Sequence, residues 1–304
     1  MKQSIDRSFF VAVVFIIVLS AINQVSGSSI EAYHYSYTQS MIGVIRQHVI
    51  KKDETLLDVA RMYDLGFNEI QDLYPDWDPW LPPYGTSITI PSQWIIPKYI
   101  KNGILINTAE LRLYFFDEKI DKVITFPVGI GDPQFPTPEG DFQISVKIVR
   151  PTWTVPPSLR DKHDVWTVPA GPDNPLGEYW LGLDDSEYGV HGTNFPWSIG
   201  RLATQGCIRL YPEDIRQLFD LVEKGTKVKI IYEPIKIIQK AGKVYIEIHQ
   251  DVYGKIGSLK GYVLSRLRDE KIMNLIDLDK LNLSLQRQDG IPVNITRSLI
   301  STQN

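Results

Sequence analysis

Apolar and polar positions change period along the chain, and the changes divide it. Between Asp53 and Tyr63 the apolar residues Leu56, Val59, Ala60 and Tyr63 recur at three- and four-residue steps. This predicts an amphipathic helix opened by Asp53 or Thr55. Residues 68–74 predict a second short helix stopped by Pro75, and residues 43–50 and 87–91 read as strands on either side. Residues 44–91 thus carry the order strand–helix–helix–strand. From Ile104 onward short runs alternate or are continuously apolar between turn residues, which predicts strands at 104–107, 111–116, 123–131, 141–149, 179–183, 188–191 and 227–232. One helix interrupts them at 212–222. It has proline in its first turn and Glu213 and Asp214 at its positive end, with Ile215, Leu218, Phe219 and Val222 along one face and Gly225 as its stop.

A stretch rich in Pro, Trp and Gly at residues 150–178 breaks the strand pattern. At roughly 29 residues it exceeds an ordinary connection and reads as a lid or binding flap. Residues 234–304 begin like a hairpin and continue with helical stretches, without a chemical motif.

The first 27 residues have another texture. Lys2 and Arg7 precede the apolar run 9–19, and small residues follow around Ser26 and Gly27. That pattern predicts a secretory signal, since a spanning helix needs about 20 apolar residues. An uncleaved segment would instead anchor the chain in the inner membrane, with the same domains outside. Export to the periplasm is the expectation in both cases, and residues 28–43 read as a linker.

Composition narrows the function classes. The 304 residues are 43% hydrophobic and 22% charged, with a formal charge of −4, so no basic face announces nucleic-acid binding. Cys207 is the single cysteine, which excludes an internal disulfide. A lone thiol in an oxidising compartment is either buried as a small hydrophobe or put to use. The surroundings of Cys207 favour use.

His191-Gly192-Thr193 lies sixteen residues before Cys207, which ends the phrase Thr204-Gln205-Gly206-Cys207. A thiol with a free pKa of about 8.5 needs a base near neutral pH, and an imidazole supplies one. His191 ends a predicted strand, and Cys207 sits on a loop before the helix. Gly206 lets an acyl carbonyl approach, and the backbone N–H groups of Cys207 and Gly206 could receive an oxyanion. The carbonyl of Gly192 or Thr193 is placed to orient the imidazole. Arg209 is a candidate for a substrate carboxylate, with a structural ion pair as the equal alternative, and Thr204 for substrate contact or loop bracing. His34, His48 and His249 fall outside the catalytic stretch. From the residues alone, His163 in the excursion stays open beside His191 as the base.

The phrases "GILINTAELRLYFF", "FPVGIG", "TPEGDFQI", "RPTWTVPPSLR", "VPAGPDNPLG" and "YGVHGTNFPWSIGRLATQGCIRLYPEDI" resemble the L,D-transpeptidases, specifically the YkuD-domain enzymes of the ErfK/YbiS type, over residues 44–236 in family order. The resemblance implies a mainly β (α+β) fold. A YkuD-type β-sandwich with one flanking helix occupies 102–233, and 234–304 is an extension. It implies that Cys207 forms a thioester with a peptidoglycan stem tetrapeptide and that His191 is the base. Many relatives carry Ser-His-Gly-Cys where Thr204-Gln205-Gly206-Cys207 stands here. "DETLLDVARMYDLGFNEIQDLYP" and "YGTSITIPSQ" make residues 44–91 similar to the glycan-binding LysM module. Lys51-Lys52-Asp53-Glu54 replaces its usual glycine turn, and Trp77-Asp78-Pro79-Trp80 its asparagine-centred loop, so a spacer role stands beside glycan contact.

The reading is therefore a cysteine acyltransferase of the cell wall that needs no cofactor and no metal. The histidines are scattered, no His-Glu-x-x-His occurs, and Gly129-Ile130-Gly131 lacks the third glycine of a dinucleotide loop. The acceptor implied by the resemblance is a second stem peptide, giving a 3→3 cross-link, or the lysine of an outer-membrane lipoprotein. Water as acceptor would make the enzyme an L,D-carboxypeptidase or amidase. A non-catalytic protein that binds wall glycan is the remaining class.

Overall fold

The computed structural model describes residues 33–34, 40–156, 160 and 165–298. The expected signal or anchor at 1–27 and the candidate base His163 lie outside the described residues. After β1 (Tyr33–His34), the first unit runs β2 (Met41–Gly43), β3 (Arg46–Val49), α1 (Leu56–Met62), α2 (Phe67–Gln71), β4 (Ser87–Ile90) and β5 (Gln93–Ile95). The pairs β3–β4 and β2–β5 are antiparallel, so the strand–helix–helix–strand order of the sequence appears in space. Thr55 is the N-cap of α1. Its hydroxyl accepts from Asp58 N at 3.1 Å, and the Asp58 carboxylate accepts from Thr55 N at 3.0 Å, a reciprocal box that satisfies two end donors.

The central part contains β6 (Gly103–Asn107), β7 (Arg112–Asp117), β8 (Lys122–Pro127), β9 (Ile130–Gly131), β10 (Gly140–Val149), β11 (Trp153–Thr154), β12 (Thr167–Val168), β13 (Tyr179–Leu183), β14 (Gly189–His191), β15 (Leu202–Thr204), β16 (Ile208–Arg209), α3 (Pro212–Leu221) and β17 (Lys227–Ile231). Nine strands form one sheet in the order β1-β8-β7-β6-β17-β10-β13-β14-β16. The sheet curls, because Arg209 at its last strand exchanges both backbone hydrogen bonds with Gly129, two residues beyond β8, at 2.8 Å each.

Side chains alternate across a strand, and here both faces are buried. Ile104, Ile106, Leu113, Phe115, Ile124 and Phe126 pack inside the curl, where Ile215 and Leu218 of α3 join them. Leu105, Tyr114, Phe116, Val123 and Ile231 face outward and share a core with Leu56, Val59, Leu65 and Ile70 of the first unit. This explains why the strand runs are continuously apolar. α3 presents the face its spacing predicts, but it ends at Leu221 rather than at Gly225, which forms the later turn into β17.

The first unit is fixed to the sheet by ions as well as apolar contacts. Arg112 is 1% exposed and bonds Glu69 Oε2 at 2.6 Å, while Trp94 Nε1 donates to Glu69 Oε1 at 2.9 Å and the Trp94 ring lies 4.1 Å from the guanidinium. Arg61 of α1 makes a two-pronged bond to Glu213 of α3.

The C-terminal unit comprises β18 (Ile235–Lys240), β19 (Lys243–Ile248), α4 (Leu259–Asp269), α5 (Leu278–Arg287) and β20 (Val293–Asn294) around its own core. Ala241 and Gly242, both with positive φ, form the two-residue turn of its hairpin. It meets the sheet through a buried cluster in which the Lys236 ammonium bridges Glu110 and Glu247, with His249 Nε2 2.7 Å from Glu247. Glu110, Glu247 and His249 have the donor set of a metal site, but the Lys236 ammonium already occupies the cation position between the two carboxylates. Tyr253 reaches back and donates to Gly131 O at 2.8 Å.

Candidate active site

Two short parallel strands build the site. Val190 lies opposite Ile208, and His191 opposite Arg209, in the β14–β16 register. With a side-chain period of two, His191, Arg209 and Cys207 fall on the same face. Cys207 precedes β16 by one residue, at the end of a tight loop. Gly206 there has φ +98°, and a Cβ on it would stand 2.5 Å from the Tyr188 ring. Glycine is therefore required by the backbone and by Tyr188, a stronger reason than the approach of an acyl group. Thr204 Oγ1 donates to the Cys207 carbonyl at 2.6 Å and braces the same turn.

His191 is 2% exposed. Its Nδ1 lies 2.6 Å from the Gly192 carbonyl, which can only accept, so Nδ1 carries the proton and Nε2 keeps its lone pair. Its ring stacks on Trp180, the cross-strand partner on β13, with centroids 5.6 Å apart. Burial, and then the Arg209 guanidinium, pull His191 down to about 3. Burial pushes the Cys207 thiol up, against the opposing pull of the Gly189 N–H and of Arg209. Both shifts favour the neutral pair, thiol and imidazole, over an ion pair in the free protein.

Cys207, His191, Thr204 and Arg209 line one open cavity of about 700 Å³, with Tyr188 and Phe135 among the other walls. Arg209 donates from Nη1 to Ser198 Oγ at 3.0 Å, whereas its buried Nε has no partner among the described residues. It forms no ion pair there either, and burial lowers its pKa.

Three residues expected at the site stand behind it. Gly192 serves through its carbonyl, as the orienting role requires. Thr193, the other carbonyl the sequence offered for that role, is buried, and its hydroxyl accepts from Phe195 N at 2.8 Å, bracing the following loop. Gly206 shapes the turn. His48 is held by Glu54 and Tyr63, and His249 by Glu247, so neither reaches the cavity.

Sequence reasoning missed the support of His191. Asn174 is fully buried in the 150–178 stretch, where its amide donates to Pro151 O at 2.8 Å and its Oδ1 accepts from Leu176 N at 2.9 Å. The Leu176 carbonyl in turn raises the His191 pKa slightly, against burial. A polar residue among the prolines of "PAGPDNPLG" was the available signal.

Comparison with known proteins bears on the chemistry. The YkuD family profile, described as the L,D-transpeptidase catalytic domain, matches residues 101–230. The chain is 35% identical over 272 residues to the probable L,D-transpeptidase ErfK/SrfK of Escherichia coli K12, covering 85% of this chain and 86% of that protein. It is 34% identical to the probable L,D-transpeptidase YcfS of the same organism, covering 86% and 87%. Against the E. coli K12 probable L,D-transpeptidase YbiS the identity is 34%, covering 78% and 81%. Likeness of that extent, running through the curled sheet and the Cys207 cavity alike, makes this protein a member of the YkuD-domain L,D-transpeptidase family and a transpeptidase enzyme.

Proposed function

We propose that Cys207 is the nucleophile of a peptidoglycan L,D-transpeptidase and His191 its base. In the first half-reaction His191 Nε2 takes the thiol proton as sulfur attacks the carbonyl of the third residue of a stem tetrapeptide. A C–S bond forms, the C–N bond to the fourth residue breaks, and the imidazolium returns its proton to the leaving amine. In the second, an acceptor amine attacks the thioester, the new amide forms and the thiol is restored. Backbone N–H groups of Gly206 and Cys207 receive the oxyanion, and Arg209 holds a substrate carboxylate.

The observation that carries this reading is the shared face of β14 and β16. One cavity is lined by the only thiol of the chain and by an imidazole whose tautomer is set by the Gly192 carbonyl. The acceptor in this reading is a second stem peptide, giving 3→3 cross-links, or a lipoprotein lysine in the periplasm. The unit at 44–91 serves as a LysM-like wall contact beside the catalytic domain at 102–233. Its exposed Trp80 lies 6.2 Å from Trp197, on the loop next to the cavity, which supports a contact continuous with the site.

Mass spectrometry of digested cell wall tests the proposal. Cells with the intact protein should gain 3→3 cross-linked or lipoprotein-linked peptides, and cells with Cys207→Ala should not. Trimmed tripeptides alone would assign the acceptor as water. Equal products from both proteins would remove Cys207 from the mechanism.

A further inference from the structure

Three units of the chain meet at a second cavity, of about 400 Å³. Helix α2 and its C-cap supply Phe67 and Asp72, strand β15 and the residue before it supply Leu202, Ala203 and Arg201, and the C-terminal unit supplies Val252. Ala203 also lines the Cys207 cavity, so the two spaces share a wall.

Two opposite charges line this junction cavity, and neither has an ion-pair partner among the described residues. Asp72 accepts a hydrogen bond from Gln250 Nε2 at 2.9 Å, an uncharged donor. Burial, with Glu69 and Asp289 nearby, pushes its carboxyl up to about 7, the mark of a carboxylate short of a cation. Arg201 lies 3.5 Å over the Phe67 ring and donates from Nε to Trp197 O at 3.0 Å. Burial lowers its pKa, and no acid offsets the effect.

A carboxylate and a guanidinium on the walls of one cavity, not paired with each other, select a ligand that carries both charges in reverse. A simple anion would gain Arg201 and be repelled by Asp72, and a simple cation would meet the opposite balance. Phe67, Leu202 and Val252 suit a short aliphatic side chain between the two ends. We propose that the junction cavity binds a free α-amino acid as its zwitterion, ammonium toward Asp72 and carboxylate toward Arg201. The link to catalysis rests on the acyl transfer proposed above, whose first step frees the fourth stem residue as such a zwitterion next to Ala203.

The test uses the full chain with Cys207, its only thiol, capped by iodoacetamide, so that the catalytic cavity is blocked and no transfer occurs. Titration of D-alanine, followed by NMR of the ligand, should show saturable binding. Ethylamine and propionate, which each carry one of its charges, should bind about tenfold more weakly or worse. Asp72→Asn and Arg201→Gln should each weaken D-alanine binding by about tenfold or more, in proteins whose thermal midpoints show them folded. Absence of binding, propionate binding as tight as D-alanine, or unchanged affinity in both variants would each overturn the proposal. Should uncapped enzyme fail to release D-alanine from a tetrapeptide while the capped protein still binds it, the acyl-transfer reading falls and the site stands.

Discussion

His191 and Arg209 stand opposite one another on neighbouring parallel strands. The register puts a fixed cation beside the imidazole and, two residues back on the same face, beside the thiol. The same charge lowers both groups, while burial lowers the imidazole and raises the thiol. Both shifts hold the free site neutral, and in the proposed mechanism the proton moves only as sulfur attacks.

This arrangement predicts the pH dependence of the thiol. Alkylation of Cys207 by iodoacetamide should accelerate with pH through a midpoint above the free-thiol value of about 8.5, without the plateau between about pH 5 and 7 that a thiolate–imidazolium pair would give. Arg209→Gln removes one of the influences that lower Cys207, so its midpoint should move further up. A midpoint below 7 in the intact protein would show that the pair is ionised.

Acid stability should report the buried His191. Its pKa is 6.5 when unperturbed and about 3 here, so between these values the unfolded chain binds a proton that the native state refuses. Stability contributed by neutral His191 is complete above 6.5 and is lost as pH falls toward 3, at about 1.4 kcal/mol per unit at most. His249, pulled down to about 4, adds to the same slope. Urea midpoints measured from pH 4 to 7 should therefore fall less steeply for His191→Gln than for the parent. Parallel curves would contradict the shift.

Arg209 offers a buried Nε that has no partner among the described residues. Arg209→Lys keeps the charge and loses the fork, so a loss of about 1.5–3 kcal/mol, or some ten- to hundredfold in kcat/KM, is expected for a substrate with a free carboxylate. Amidation of that carboxylate should cost the parent enzyme a similar factor and the variant little. Equal sensitivity in both would return Arg209 to a structural role.

Glu69 and Arg112 join the first unit to the sheet with almost no exposure to water. Glu69→Gln leaves a buried guanidinium without its counter-ion, a change that costs about 3–5 kcal/mol. Because the two units share one apolar core, denaturation should remain a single transition shifted to lower urea. A first transition confined to tryptophans of residues 40–96 would show that the unit unfolds on its own.

Much of the local structure was legible in the chain. The three- and four-residue spacing from Leu56 to Tyr63 located α1, and the face Ile215–Leu218–Val222 located the packing side of α3. Each depends only on which neighbours along one element are apolar. The phrase around Cys207 likewise set a lone cysteine after a glycine-bearing turn and sixteen residues beyond a histidine, and both line one cavity. Local spacing was silent on Thr193, whose hydroxyl turned to a backbone N–H two residues on, and on Asn174, whose partners come from both ends of the 150–178 stretch.

By itself the sequence determined the elements, the two-faced apolar strands and the residue types that chemistry demands, since these follow from period, propensity and side-chain functional group. The tertiary structure decided which of those residues share a face: the β14–β16 register set His191 against Arg209, and the curl that joins Gly129 to Arg209 closed the sheet. It also decided that the first unit is packed onto the sheet rather than strung before it, and that Asp72 and Arg201 share a cavity. Those are relations between residues far apart in the chain, and only the packing free energy of the whole core selects among the registers and dockings that the local pattern allows.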